Sequence, residues 1–463
     1  MERADEYERY LAYLCEGLGH RDRHQGLYDY CHGLTLEIPR KSVEPMAACL
    51  CPARTEAKHQ TMHCFVAESG WSDDALRERV RQWVWPQLTA GQEYVVIGDD
   101  TPQIKQGPHS VGVIRQYCGQ LGKVANCQSS VTLSVATERG SLPVEQALYL
   151  PEEWVADKLR RRKVGVPRDI RFQPKWRIAL NQVKRTLDKG VRPRAALFDA
   201  GYGNNSAFRD GLFAFSLPYC VGIQSTTSVW ASGTTLSVPQ KRPGRGRRPT
   251  RCQPSPESDK PLSVNALALS LATTAWQDVT WREGTNTPLT SRFATLRVRC
   301  AHGVLHGDDM PREEWLLIEW PTGEPVPTKY FLSSLEETIT LTELVRITKM
   351  RWRIEHDYRE MKQHFGLSDY EGRSWRGFHH HWSLVIAVYG FVMSWRLQHP
   401  DAGKKSGWPE VLALPSIPPR RHRRAYSTPC AGLHRQPDLP TCPDDCPDTA
   451  PMPLLRTPQG GVF

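Results

Sequence analysis

Between residues 93 and 223 the apolar pattern switches repeatedly between a period of two and a period near 3.6, and few folds accommodate that order. The segments EYVVIGDD (93–100), SSVTLSVATE (129–138) and LPVEQALYL (142–150) read as three successive strands. A helix is expected over about 174–189, then a strand RAALFDAG (194–201), a short helix from about Asn205, and a strand FAFSLPYCVGI (213–223). The order β-β-β-α-β-α-β places the chain in the α/β class.

The flanks change character. Residues 1–90 read as a helical amino-terminal domain, expected to bind DNA, because YERYLAYLCEGL and DDALRERVRQWVWPQL carry apolar side chains at three-to-four spacing. Residues 91–223 form the first part of the core. Alternating stretches such as SRFATLRVRC and EEWLLIEWP, separated by Gly/Pro turns, predict a β-rich insertion over 224–335. Core helices return over 336–398, one from near Leu341 and one from about Gly377. The run WSLVIAVYGFVMSW (382–395) has fourteen residues, short of the roughly 20 a membrane span needs; it reads as a buried helix. Over 399–463 a disordered tail is expected, since 13 of the 36 prolines fall at or beyond Pro400.

The formal charge of +10 favours an anionic partner, of which nucleic acid is the commonest. Between Leu148 and Arg194 there are 14 Lys/Arg against 5 Asp/Glu, which points to a DNA-facing surface. If about eight of those charges met phosphates, affinity would fall with salt on a log–log slope of about −7. The loop QKRPGRGRRPTR (240–251), with Lys241, Arg242 and Arg245, is a second DNA-directed candidate. The thirteen cysteines follow no small-domain disulfide pattern, and the amino terminus lacks a signal-peptide layout. A reduced, cytoplasmic setting is expected.

Asp100 ends the first strand and Asp199 the fourth, so both carboxylates point out of one sheet edge. In MRWRIEHDYREMK (350–362) Arg351, Glu355 and Lys362 fall within about 40° of one another on a helix. Three carboxylates brought together suit two magnesium ions, which prefer oxygen ligands and keep waters for the reaction. Two such ions activate an attacking hydroxyl and stabilise a leaving oxygen. Metal-dependent phosphoryl transfer on DNA or RNA is the expected chemistry.

The strand and helix order, the ordered acids in GDDT, FDAGYG and WRIE, and the β-rich insertion resemble the DDE transposases of bacterial insertion sequences. The stretch from 348 to 362 looks like their Y-x2-R-x3-E-x6-K signature, with Arg351, Glu355 and Lys362 in register and Thr348 at the tyrosine position. The segments HSVGVIRQYCGQLGK and YEGRSWRGFHHHW are similar to one branch of the group. The resemblance implies an RNase H-like catalytic core holding two Mg2+ (Mn2+ substituting) on Asp100, Asp199 and Glu355. It implies cut-and-paste cleavage and strand transfer at terminal inverted repeats, target DNA as second substrate, and a homodimer on double-stranded DNA. Arg351 and Lys362 would hold phosphates beside the scissile bond. The alternative is an impaired relic that binds element ends without cutting, to which the tail sequence LPSIPPRRHRRAYSTPC gives support.

Other readings stay beside these. Asp99 competes with Asp100, because side chains alternate along a strand and only one of the pair faces the site; Asp100 is preferred. His379, His380 and His381 point in three directions on a helix, which favours structural or DNA-contact roles over metal binding. The group of Cys49, Cys51, His59, His63 and Cys64 has an unusual spacing for zinc. Trp320 and Tyr330 could stack on an extruded base, though a core position is the default for an aromatic.

Overall fold

A computed structural model describes residues 2–232, 234, 236–237, 253–254, 260–282, 288–301 and 311–400. The basic loop with Lys241, Arg242 and Arg245, and the tail beyond residue 400, lie outside the described residues.

Five helices open the chain: α1 (Glu2–Cys15), α2 (His24–Thr35), α3 (Val43–Leu50), α4 (Thr55–Ala67) and α5 (Asp73–Thr89). Their ends follow local chemistry. Ser72 starts α5 by accepting a hydrogen bond from the Ala75 amide. Leu76, Val80, Val84 and Leu88 recur every four residues along α5 and are all buried, giving the helix one apolar face.

The sheet begins with β1 (Val95–Ile104), β2 (Ile114–Cys118), β3 (Lys123–Ala136) and β4 (Ser141–Leu148). β3 lies antiparallel between β1 and β4, and β2 also pairs with it. β2 is one strand more than the sequence reading expected. In IRQYC only Cys118 is fully buried, so the segment has no apolar face to betray it. Helices α6 (Glu152–Ala156), α7 (Lys158–Lys163) and α8 (Lys175–Asp188) cross to β5 (Ala196–Phe198), and α9 (Ala200–Gly203) and α10 (Ser206–Ala214) cross to β6 (Tyr219–Ile223). β5 is parallel to both β1 and β6. The strand expected over 213–223 is shorter, Tyr219–Ile223, since Phe213 and Ala214 close α10 and the chain turns through Ser216 at φ 54°.

The region expected as an insertion contributes β7 (Ser228–Ala231), the two-residue strands β8 (Leu236–Ser237), β9 (Gln253–Pro254) and β10 (Leu262–Ser263), and helix α11 (Val264–Leu269). The longer strands β11 (Gln277–Arg282), β12 (Leu289–Cys300), β13 (Glu313–Pro321) and β14 (Lys329–Ser333) follow. These strands are continuous with the rest: β14 pairs antiparallel with β6 through Tyr330↔Ile223 to Ser333↔Cys220, and the sheet runs β10-β7-β12-β13-β14-β6-β5-β1-β3-β2. β11 extends from β12 and β4 from β3, while among the described residues β8 and β9 pair with each other alone. The fold is mixed α/β, with a helical amino-terminal region and one large mixed sheet.

Three helices close the described chain: α12 (Leu341–Lys349), α13 (Trp352–His364) and α14 (Trp375–Gln398). α14 carries the fourteen-residue apolar run and is buried almost throughout. Among the described residues no helix is long and apolar enough to cross a membrane. The amino-terminal helices cover α14: Tyr10 donates to the Ala387 carbonyl at 2.7 Å, and Arg77 to Ser383 Oγ at 2.7 Å. A Cβ on Gly390 would stand 2.6 Å from Val80 Cγ1, so glycine lets α5 and α14 approach closely.

The three histidines of α14 are structural. His379 Nδ1 lies 2.9 Å from the Trp375 carbonyl, and the two nitrogens of His380 each lie 3.0 Å from the carbonyls of Val66 and Trp71. His381 sits between the Tyr30 hydroxyl and the Gly366 carbonyl. Burial pushes His380 down to about 4 and His381 to about 3.

Candidate active site

Two adjacent parallel strands bring the first acids together. Val96 pairs with Ala196 and Ile97 with Leu197, so β5 ends beside the middle of β1, with Asp199 just past β5 and Asp99 and Asp100 on β1, which runs on to Ile104 rather than ending at Asp100 as expected. Gly98 makes this possible, because a Cβ there would stand 1.9 Å from the Phe198 ring. Asp199 caps α9 by accepting the Gly201 amide at 3.0 Å. Gly203 then seats that helix against β6, where a Cβ would meet the Gly222 carbonyl at 2.0 Å.

The third acid arrives on α13, which is clasped to the sheet. Asp357 accepts hydrogen bonds from Ser141 at 2.5 Å, Tyr389 at 2.7 Å and Ser134 at 3.0 Å. The Tyr358 hydroxyl lies 2.6 Å from Thr132 Oγ1. Because Thr132 is the cross-strand partner of Asp99, this clasp turns the Arg351–Glu355 side of the helix towards β1. The expected single helix is split between Lys349 and Trp352, yet Arg351 keeps helical angles (φ −54°, ψ −27°) and stays one turn from Glu355. Lys349 braces the junction by donating to both oxygens of buried Glu319, at 2.8 and 2.9 Å, while the Arg282 guanidinium stacks 3.6 Å over Trp352.

Arg351 joins the acids. Its Nη1 donates to Asp99 Oδ2 at 3.0 Å and its Nη2 to Glu355 Oε1 at 2.6 Å. Asp100 takes the opposite face of β1, as alternation requires. Its Oδ2 accepts from Lys175 Nζ at 2.6 Å and Ser129 Oγ at 3.0 Å, and its Oδ1 from the Tyr202 hydroxyl at 3.3 Å. The structure thus links Asp99 and Glu355 through Arg351 and ties Asp100 to α8. Burial pushes the Asp99 carboxyl up to about 7; the repulsion of Asp199 and Asp100 adds to this, and Arg351 opposes it. Asp199 is raised by burial and by Asp100, against the pull of Arg351.

The donor chemistry suits a hard divalent cation, since Asp99, Asp100 and Asp199 supply only carboxylate oxygens, and burial together with neighbouring carboxylates raises Asp99 and Asp199. Arg351 and Lys175 provide the compensating positive charge. Among the described residues no three acidic, imidazole or thiol side chains are arranged as a ready cation cage.

The other expected residues fall in several places. Lys362 donates to the Pro102 carbonyl at 3.1 Å and to Gln120 Oε1 at 3.2 Å, towards the far end of β1. Thr348, at the tyrosine position of the signature, is buried and bonds back to the Leu344 carbonyl at 2.7 Å. Tyr330 is a core residue, 3% exposed, whose hydroxyl donates to Pro327 and Asn265. Trp320 is half-buried beneath the Arg292 guanidinium at 3.9 Å. Sequence reasoning missed Lys175, Tyr202 and Asp357. Only Tyr202 carried a signal, its place in FDAGYG.

The family described as DDE superfamily endonuclease matches residues 13–288, and the chain belongs to it. It is also similar to a probable transposase for insertion sequence element IS701 from Microchaete diplosiphon, with 27% identity over 200 residues. That match covers 43% of this chain and 48% of the relative, so the chain spans about half the length of the curated relative it matches.

Proposed function

We propose that the protein is an insertion-sequence transposase that cuts and joins double-stranded DNA at terminal inverted repeats, with divalent cations held by Asp199, Glu355 and an acid of β1, either Asp100 or the Asp99 that Arg351 ties to Glu355. The observation that carries this reading is the Arg351 guanidinium, which joins acids from β1 and α13 beside the end of β5, three segments far apart in sequence. The pairing of β1 with β3 antiparallel and with β5 parallel supports an RNase H-like core. When bound, Mg2+ or Mn2+ would supply an activated hydroxyl and charge neutralisation at the phosphorus. The chain's own residues do the rest. Asp199, Glu355 and the acids of β1, Asp99 and Asp100, hold negative charge where the cations bind, and Asp99 also orients Arg351. The clasp on Asp357 fixes the helix that presents Glu355. Arg351 and Lys362 offer positive charge to phosphate oxygens beside the scissile bond. The basic stretch 148–194 and the loop bearing Lys241, Arg242 and Arg245 would track the DNA backbone, and the active species would be a homodimer on paired ends.

Release of a marked element bounded by its native flanking DNA tests the reading in cells. Asp100→Asn, Asp199→Asn and Glu355→Gln should each abolish release while end binding persists. Release by any one of them at the wild-type level removes that residue from the site. Thr348 favours a second reading, an impaired relic that binds ends only, because a buried threonine stands where the resemblance expects a tyrosine. Wild-type protein that binds ends and releases nothing would support the relic.

A further inference from the structure

We propose that Lys175 is a built-in counter-ion of the cation site, competing with a divalent ion for the Asp100 carboxylate and so setting when the site loads. The inference rests on the reading of Asp100 as a metal ligand. Lys175 Nζ donates to Asp100 Oδ2 at 2.6 Å, the shortest of the three hydrogen bonds that carboxylate accepts. The other two come from hydroxyls of Ser129 and Tyr202. A hydroxyl can rotate and still accept or donate when a cation arrives; an ammonium cannot accept, and its charge repels the newcomer. Among the described residues Lys175 is therefore the one partner of Asp100 that a metal ion must displace.

The position of Lys175 is not explained by its helix. It is the first residue of α8, behind Pro174 as cap, and a cation in the first turn opposes the helix dipole. No acidic residue occupies that first turn to offset it. Lys175 also has somewhere to go. The Tyr149 ring centroid lies 5.6 Å from Nζ, and the lysine side chain is 31% exposed, so a displaced ammonium gains solvent and an aromatic face. There it stands within the basic stretch 148–194, where a phosphate would take it up. Any anion that captures Lys175 then raises metal affinity, and metal raises affinity for that anion by the same factor.

Mn2+ binding to the full-length protein without DNA tests this, read from the loss of the free-ion electron paramagnetic resonance signal. Lys175→Gln should bind Mn2+ on the order of three- to tenfold more tightly than wild type, the range set by a partly exposed ion pair. Lys175→Arg, which keeps the charge, should bind as wild type does, and urea unfolding of each variant checks that the fold is intact. In the Asp100→Asn background the gain from Lys175→Gln should vanish. Unchanged or weaker Mn2+ binding by a folded Lys175→Gln overturns the counter-ion role. Wild-type Mn2+ affinity in Asp100→Asn alone instead overturns the ligand assignment beneath it.

Discussion

Arg351 Nη1 donates to Asp99 Oδ2 at 3.0 Å, joining the helix that carries Glu355 to the first strand of the sheet. Both groups are largely withdrawn from water, with side-chain exposures of 27% and 16%. A carboxylate left there without its cation keeps the cost of burial and loses the compensation. Arg351→Ala should lower the unfolding free energy by about 2–4 kcal/mol. Asp99→Asn in the same chain should recover part of that loss, giving a coupling of at least about 1 kcal/mol in a double-mutant cycle followed by urea unfolding. Strict additivity would show that the pair contributes nothing as a pair.

Gly98 and Phe198 form the packing joint beneath the acids. A methyl group on Gly98 would fall 1.9 Å from the Phe198 ring, far inside contact distance, and the ring is itself 1% exposed. Gly98→Ala should therefore destabilise by about 2–3 kcal/mol through overpacking, and push β1 away from β5. Phe198→Leu added to it makes room, so the double variant should cost less than the sum of the singles. Equal costs for the double and the summed singles would remove the joint from the account.

Much of the scaffold was legible because it is local. The apolar repeat of α5, the β-branched run before Gly98 and the fully apolar face of α14 announce themselves within a single element. Features decided by distant partners were not. Nothing in YCVGI or KYFLS says that β6 pairs with β14, which carries the expected insertion into the main sheet. Alternation shows that Asp99 and Asp100 point apart, but the side each faces is fixed by α13 and α8, more than seventy residues away in sequence. Lys175 was hidden by its neighbours, one cation among 14 between Leu148 and Arg194. Asp357 looked like another charge on a polar helix. Only the sheet reveals that it is fully buried among three hydroxyls.

Asp357 leads to a third expectation. Burial raises its pKa to about 6, against the hydrogen bonds of Ser141, Tyr389 and Ser134, so near neutral pH it is an ionised acceptor for all three. Asp357→Ala strands those buried hydroxyls and should cost about 3–5 kcal/mol; Asp357→Asn keeps an acceptor oxygen and should cost about half as much. Under the proposed function the clasp aims Glu355, so Asp357→Asn should also slow DNA cleavage, although Asp357 lies buried beneath the site. An Asn variant with wild-type stability and wild-type cleavage would separate the clasp from the aim of the helix.

His381 gives the fold a defined acid limit. Burial, with Lys105 nearby, lowers its pKa from 6.5 to about 3, and its hydrogen bonds to Tyr30 and Gly366 suit the neutral ring. In the unfolded chain the imidazole takes its proton near 6.5, before the folded protein can. Stability from this group is therefore full above about pH 6.5 and is lost as pH falls towards 3, by about 1.4 kcal/mol per unit where the unfolded ring alone is charged. His379 and His380, also lowered by burial, add to the slope. His381→Gln should be less stable than wild type at pH 7, and its unfolding free energy should fall less steeply between pH 6 and pH 4.5, by about one proton. Urea unfolding at a series of pH values measures that slope, and an identical slope in the variant would mean that His381 is protonated in the folded chain as readily as in the unfolded one.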